Sequence, residues 1–193
     1  MKTPVTTLLL AGVATGSFAT ALTTFLMLRG QGELRRAMGW MLGGFAIGGW
    51  PPVLVAAPYV AAGLAVLVAL GRPLNVLQFG DDQARQLGLN VERVKLVLVV
   101  AASLVAAAAV AFSGVIGFVG LAAPHLVRLL WGPDYRRLVP LAALAGASIL
   151  LLADLAARLV LAPQELPVGI VTALAGAPFF LYLLRTAKQQ TYW

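Results

Sequence analysis

The sequence predicts an all-α polytopic membrane protein: about six transmembrane helices, short helices in one cytoplasmic loop, and a short outer interfacial segment. Three observations carry this. Hydrophobic residues make up 61% of the 193-residue chain and charged residues 11%, whereas a soluble domain carries roughly 25% charged residues. Mean hydropathy is +0.92. The apolar residues fall into runs of span length, and lipid offers stray backbone groups no hydrogen-bond partner, so such runs must be helical. The basic residues, despite a net charge of +7, sit in connections between runs rather than on one amphipathic face. That pattern fits the loop bias of a membrane protein and argues against a nucleic-acid groove. With no cysteine, disulfides and thiolate metal sites are excluded.

The first run, Pro4–Leu28, follows Lys2. Its "LLLAGVATGSFATA" looks like a secretory signal with a small-residue site near Ala19–Ala21. The uncharged stretch nevertheless continues to Leu28, past the roughly 20 residues that cross a bilayer, so a retained span is expected. Next comes "RGQGELRRAMGWMLGGFAIGGWPP", whose Trp40 and Trp50 suit an interfacial aromatic belt. Leu34–Leu42 forms either a short interfacial helix, with the following glycines making a bend, or a plain connection held by belt anchors. The further spans are Pro51–Leu70, Leu96–Phe112, Ile116–Leu130, Leu138–Leu161 and Pro167–Leu184. Ile116–Leu130 is short and contains Pro124, so it is expected to be tilted, kinked or sheltered by neighbours. The third span, "AASLVAAAAVAFSG", and the fifth, "LAALAGASILLLADLAARL", are dense in small residues that let membrane helices approach closely. With no repeat and no soluble domain, residues 1–193 read as a single transmembrane domain.

Six spans place both termini on one side. That side carries Lys2, Arg72, Arg85, Arg93, Lys95, Arg128, Arg136, Arg137, Arg185 and Lys188; the other carries Arg29, Arg35, Arg36 and Arg158. The richer side is expected to be cytoplasmic.

No catalytic constellation is found. The glycine-rich "GWMLGGFAIGG" lacks the lysine of a phosphate-binding loop, and the single histidine, His125, argues against a multi-histidine metal or haem site. It reads either as a structural hydrogen-bonder or as a ligand or gating group. No cofactor or metal is expected. Asp154 and Arg158 lie four residues apart on one helix face. They are either a neutralising intrahelical pair or an outward contact for an acidic partner, with Asp154 holding the arginine.

The cytoplasmic segment Asn75–Lys95 has its own order. Asp81 or Asp82 is expected to cap a short helix through Ala84–Leu87, with Gly88 as its stop and Asn90 capping "VERVK" ahead of the third span. Leu87 and Leu89 would sit at the corner. The segment is then either a solvated loop or a compact knob for a groove on a cytoplasmic partner.

These stretches resemble the permease subunits of ATP-binding-cassette (ABC) importers for iron-siderophores, haem and cobalamin. The residues carrying the resemblance are "GWMLGGF" at Gly39–Phe45, "ARQLGLN" at Ala84–Asn90 and "GVIGFVGLAAPHLVRLL" at Gly114–Leu130. To these add "PDYRRLVPLAALAGASILLLADLAARL" at Pro133–Leu159 and "ELPVGIVTALAGAPFFLYLL" at Glu165–Leu184. Each is weak alone; together, in the family's order, they are specific and cover nearly the whole chain. The resemblance implies a second permease subunit (homo- or heterodimer), cytoplasmic ABC ATPase subunits, and a periplasmic or lipid-anchored binding protein that delivers ligand. It implies that Asn75–Arg93 forms coupling helices seated in the ATPase, with Gly80, Asp81, Ala84, Arg85, Leu87 and Gly88 at the matching positions. It also implies that Arg158 meets acidic residues of the binding protein, and that Arg136 and Arg137 add a secondary ATPase or lipid contact. The protein would be a multi-pass component of the bacterial inner membrane. The family pattern has about ten spans, so the six here match its C-terminal part. The N-terminal spans are expected to be missing through truncation or to lie on a separate chain. The expected function is ATP-driven alternating access; an ion-coupled carrier or channel, or an inactive permease fragment, are the alternatives.

Overall fold

The computed structural model describes residues 5–29, 33–45, 49–160 and 166–189. Lys2, Pro4 and Leu161 lie outside them, as do the side chains of Arg29, Arg35, Arg36 and Lys188. The chain divides into two compact units, Met1–Met41 and Leu42–Trp193.

In the first unit, α1 (Val5–Arg29) is 25 residues long, about 37 Å at 1.5 Å per residue. Its apolar side chains are exposed, Leu10 and Phe18 by 70% and 72%, as suits a helix whose solvent is lipid. Its threonines do not need water either. Thr20, Thr23 and Thr24 Oγ1 donate to the carbonyls of Gly16, Ala19 and Thr20 at 2.9, 2.8 and 2.8 Å, and Thr15 likewise to Ala11. α2 (Glu33–Leu42) follows, so Leu34–Leu42 is helical rather than a plain connection.

The second unit holds α3 (Trp50–Ala69), α4 (Gly71–Leu77), α5 (Asp81–Gln86), α6 (Val91–Ser113), α7 (Val119–Trp131), α8 (Tyr135–Val160) and α9 (Val168–Gln189). No strand occurs among the described residues. α3 packs on α6, α7 and α9 pack on α8, and α4 bridges to α8. Where they meet, the side chains are small. Ala101, Ala123, Ala153 and Ala157 are buried, while Leu151 and Leu152 are 72% and 67% exposed. Gly63 lets α3 close on α6, since a Cβ there would meet Val105 and the Ala101 carbonyl. Close backbone contact, with large apolar groups turned outward, is how helices associate in a bilayer.

Among the described residues, four segments are long and apolar enough to cross a membrane: Leu9–Met27, Trp50–Ala69, Val91–Ser113 and Tyr135–Val160. Val119–Trp131 and Val168–Leu181 are shorter apolar helices. α7 differs most from expectation. Its 13 residues reach about 20 Å against a hydrocarbon core of about 30 Å. Ile116–Phe118, expected as part of the span, is not helical. Phe118 turns into α7 at φ 67° and lies against Gly176 of α9, where a Cβ would collide with its side chain. Non-helical backbone here needs protein partners, and nearby irregular segments supply one another with them. The Gly44 N–H donates to the Ser113 carbonyl at 2.8 Å, and the Gly169 N–H to the Gly43 carbonyl at 3.2 Å.

Candidate functional site

The corner between α3 and α6 is built from the backbone up. Gly80, at φ 99° and ψ 162°, is the N-cap of α5, a conformation that essentially only glycine adopts. Neither Asp81 nor Asp82 is the cap, which corrects the sequence expectation. They occupy the first helical turn, where carboxylates favour the positive end of the helix dipole. The helix ends as anticipated from Gly88. At φ 80°, Gly88 N–H donates to the Arg85 carbonyl at 2.9 Å, and Leu89 N–H to the Ala84 carbonyl at 3.0 Å. That pair of bonds is a Schellman motif. Asn90 Oδ1 then accepts from the Arg93 N–H at 3.1 Å, and "VERVK" is the first stretch of α6 itself rather than a separate short helix.

Side chains fix this corner to its neighbours. Ala84 is completely buried. Lys95 Nζ meets Asp81 Oδ2 at 2.5 Å, and Arg85 meets Glu92 Oε1 at 2.8 Å, tying α5 to the start of α6. Both pairs are about half exposed or more, so they orient α5 and add little stability. Gly80, Asp81, Ala84, Arg85, Leu87 and Gly88 thus come together as α5 and its two caps. Leu87 stands 71% exposed at the tip, with Phe79 at 69%; Leu89 is half-buried. Sequence reasoning passed over Phe79, although an apolar residue before Gly-Asp-Asp in a polar loop was a signal.

It also missed what holds α4. Asn75 Oδ1 accepts the Tyr135 N–H at 2.8 Å, and its Nδ2 donates to Asp134 Oδ1 at 2.6 Å. Gln78 Nε2 donates to Asn75 Oδ1 at 3.2 Å and to the Pro133 carbonyl at 3.4 Å. The amide bond from Asn75, the Arg136 N–H and the nearby arginine charges hold the Asp134 carboxyl below its ordinary 3.8. Gly71 meanwhile lies against the Arg136 backbone.

Arg158 lies apart, near the other end of α8. Its Nε donates to Asp154 Oδ2 at 2.9 Å, with the arginine side chain 49% and the aspartate 24% exposed. From Arg136 to Arg158 the helix rises about 33 Å, so the two candidate contact sites occupy opposite ends of one long helix. The pairing with Asp154 is present, and it leaves half the arginine accessible. His125 belongs to neither site. Its ring meets Phe179 edge-on at 6.2 Å, and Nε2 is buried without a hydrogen-bond partner among the described residues. No group of three or more potential metal-ligating side chains occurs among the described residues.

The FecCD transport family matches residues 2–186. Among curated relatives, the cobalamin import system permease protein BtuC of Halobacterium salinarum is 51% identical over 183 residues, covering 95% of this chain and 49% of the relative. The hemin transport system permease protein HmuU of Yersinia pestis is 42% identical, covering 95% of this chain and 55% of the relative. An uncharacterized ABC transporter permease, YvrB of Bacillus subtilis, is 46% identical over 93% of this chain and 51% of its own. A solved structure described as a metal-chelate type ABC transporter in an inward-facing conformation superposes with a TM-score of 0.84 at 32% identity, covering 94% of this chain and 61% of that one. The chain therefore spans about half the length of the curated relatives it matches. With its apolar helices and a match over nearly its whole length, this multi-pass membrane protein belongs to the FecCD transport family.

Proposed function

We propose that this chain supplies the C-terminal six spans of the permease in an ATP-binding-cassette importer. The importer carries an iron chelate, haem or cobalamin across the bacterial inner membrane by alternating access, and residues 1–193 act as one transmembrane domain. Hydrolysis takes place on a separate cytoplasmic ATPase, and both termini of this chain lie on the ATPase side. The observation that carries the reading is the α5 corner. It is a six-residue helix with an exposed leucine at its tip, a buried alanine beneath, and ion pairs to the head of a membrane helix. An apolar knob of that kind fits a groove, and its bracing passes displacement into α6 rather than dissipating it in a loop. Loop charge favours the cytoplasmic placement.

At the other end, Arg158 is the docking contact for an acidic patch on a substrate-binding protein, with Asp154 as its positioning residue. The path lies between this permease and a second one. The decisive experiment reconstitutes the permease with its ATPase and binding protein and introduces Leu87→Asp with Gly88→Asp. ATPase association and coupled uptake should be lost; retention of both would overturn the proposal. Uptake driven by an ion gradient with no ATPase present would favour the ion-coupled carrier instead. Arg158→Glu should weaken binding-protein association about tenfold or more, chiefly at low salt, while leaving ATPase association intact.

A further inference from the structure

A second basic feature lies beside the α5 corner and takes no part in the coupling just described. Where α3 ends and α8 begins, a cavity of about 560 Å³ is lined by Val68, Ala69, Arg72, Asp134, Arg136 and Arg137. Three arginines and one aspartate thus line one cavity. Asp134 Oδ1 is already engaged by the Asn75 side chain and the Arg136 N–H. Among the described residues none of the three arginine side chains lies within ion-pair distance of a carboxylate.

Arg136 and Arg137 also occupy the first turn of α8, the end at which the helix dipole disfavours cations. Asp134 offsets part of that charge, its carboxyl being held low by the Asn75 amide and in smaller part by the Arg136 and Arg137 charges. Three cations against one carboxylate, two of them against the dipole, nevertheless leave the cavity net positive. The backbone amides there are already used, Tyr135 N–H by Asn75 and Arg137 N–H by the Asp134 carbonyl. An anion would therefore be held by the guanidiniums, in the bidentate manner suited to phosphate oxygens.

The position tells which phosphate. Ala69 and Tyr135 are the ends of two helices long and apolar enough to span a bilayer, which is the depth of lipid headgroups. One lip of the cavity is the apolar end of α3, Val68 and Ala69, with Val68 39% exposed. A free phosphate has no use for that lip, whereas an acyl chain would be accommodated along it. We propose that this cavity binds the headgroup phosphate of an anionic phospholipid, held by Arg72, Arg136 and Arg137, with the lipid's acyl chain along the end of α3. Basic pockets between membrane helices take anionic headgroups in this way. The proposal requires only that the chain crosses a membrane, and it stands or falls independently of the transport function.

The test is native mass spectrometry of the detergent-purified permease, titrated with phosphatidylglycerol or phosphatidylcholine. Phosphatidylglycerol should be retained preferentially. Replacing all three arginines (Arg72→Gln, Arg136→Gln, Arg137→Gln) should weaken its retention about a hundredfold, and Arg185→Gln should leave it unchanged. Equal retention of both lipids by the unmodified chain overturns the proposal. So does retention by the triple variant equal to that of Arg185→Gln, including the case in which the triple variant instead loses the ATPase, which makes the patch a protein contact. Millimolar inorganic phosphate that displaces the lipid completely assigns the site to free phosphate and overturns the lipid assignment. Should the triple variant fold poorly, a phosphatidylglycerol carrying a photoreactive headgroup decides the matter on the unmodified chain. Labelling of residues 68–72 or 133–137 supports the site, and labelling confined elsewhere refutes it.

Discussion

Glycine does two different jobs in this molecule, and the contrast separates the α5 corner from the packed region where Gly43, Phe118 and the start of α9 meet. At Gly80 and Gly88 a Cβ would meet nothing within 4 Å; what matters is the positive φ. At Gly169 and Gly176 the backbone is ordinary helix and space is what matters, because a Cβ would run into the Leu42 carbonyl or the Phe118 side chain. The corner is shaped by local conformation and trimmed by polar side chains. The packed region is shaped by contact between segments distant in sequence. The first is set by dihedral preference within a few residues; the second cannot be altered without moving a helix.

That contrast yields a ranked series. Gly169→Ala should be the most damaging, because the obstacle is backbone and cannot rotate away. A loss of about 3 kcal/mol, at the upper end for overpacking, should appear as a lower unfolding midpoint in detergent. Asn75→Ala removes the acceptor for the Tyr135 N–H and the donor to Asp134 together, costing about 2 kcal/mol and loosening α4 from α8. Gly88→Ala should cost about 1–2 kcal/mol through left-handed strain alone. Gly88→Asn should cost less, since asparagine tolerates that conformation; equal losses would mean that space, not φ, is limiting there. Asp81→Asn should change stability by less than about 1 kcal/mol while reducing coupled uptake, which distinguishes orientation from stability.

Asp134 adds a pH signature. Its carboxyl is held below its ordinary 3.8 by the Asn75 amide and the Arg136 N–H. Its contribution is therefore complete above the unfolded value and lost as pH falls through the lowered folded one. Unfolding midpoints followed below about pH 4 should show a dependence that Asp134→Asn removes.

The same division marks what was legible in the sequence. α3 covers Trp50–Ala69 where an apolar run at 51–70 required a helix, and α6 covers Val91–Ser113 around the run at 96–112. Composition fixes such elements because lipid leaves the backbone no alternative. The stop at Gly88 and the cap at Asn90 were legible for the same reason: their partners lie within a few residues. The N-cap was misread because carboxylates and glycine both suit that position, and φ, which decides between them, is not written in the sequence. Asn75 with Asp134, Gly71 with Arg136 and Phe118 with Gly176 all join residues more than fifty positions apart. Nothing local announces them. The α7 start was misplaced for a related reason: Ile116–Phe118 is as apolar as a span, and only its tertiary neighbours release it from being helix.

A last consequence concerns the persistence of α5. Six residues are too few for a helix to hold in water unaided, since nucleation consumes most of what so short a ladder can return. Its order is borrowed from the head of α6 and the floor beneath Ala84. Amide hydrogen exchange at Ala84 and Leu87, whose N–H groups bond to the Gly80 and Gln83 carbonyls at 3.1 Å each, therefore reports the seating of the knob against α6 rather than any intrinsic helicity. Those two amides are a built-in gauge: slow exchange means a docked corner, and fast exchange means a detached one, well before the membrane helices themselves unfold.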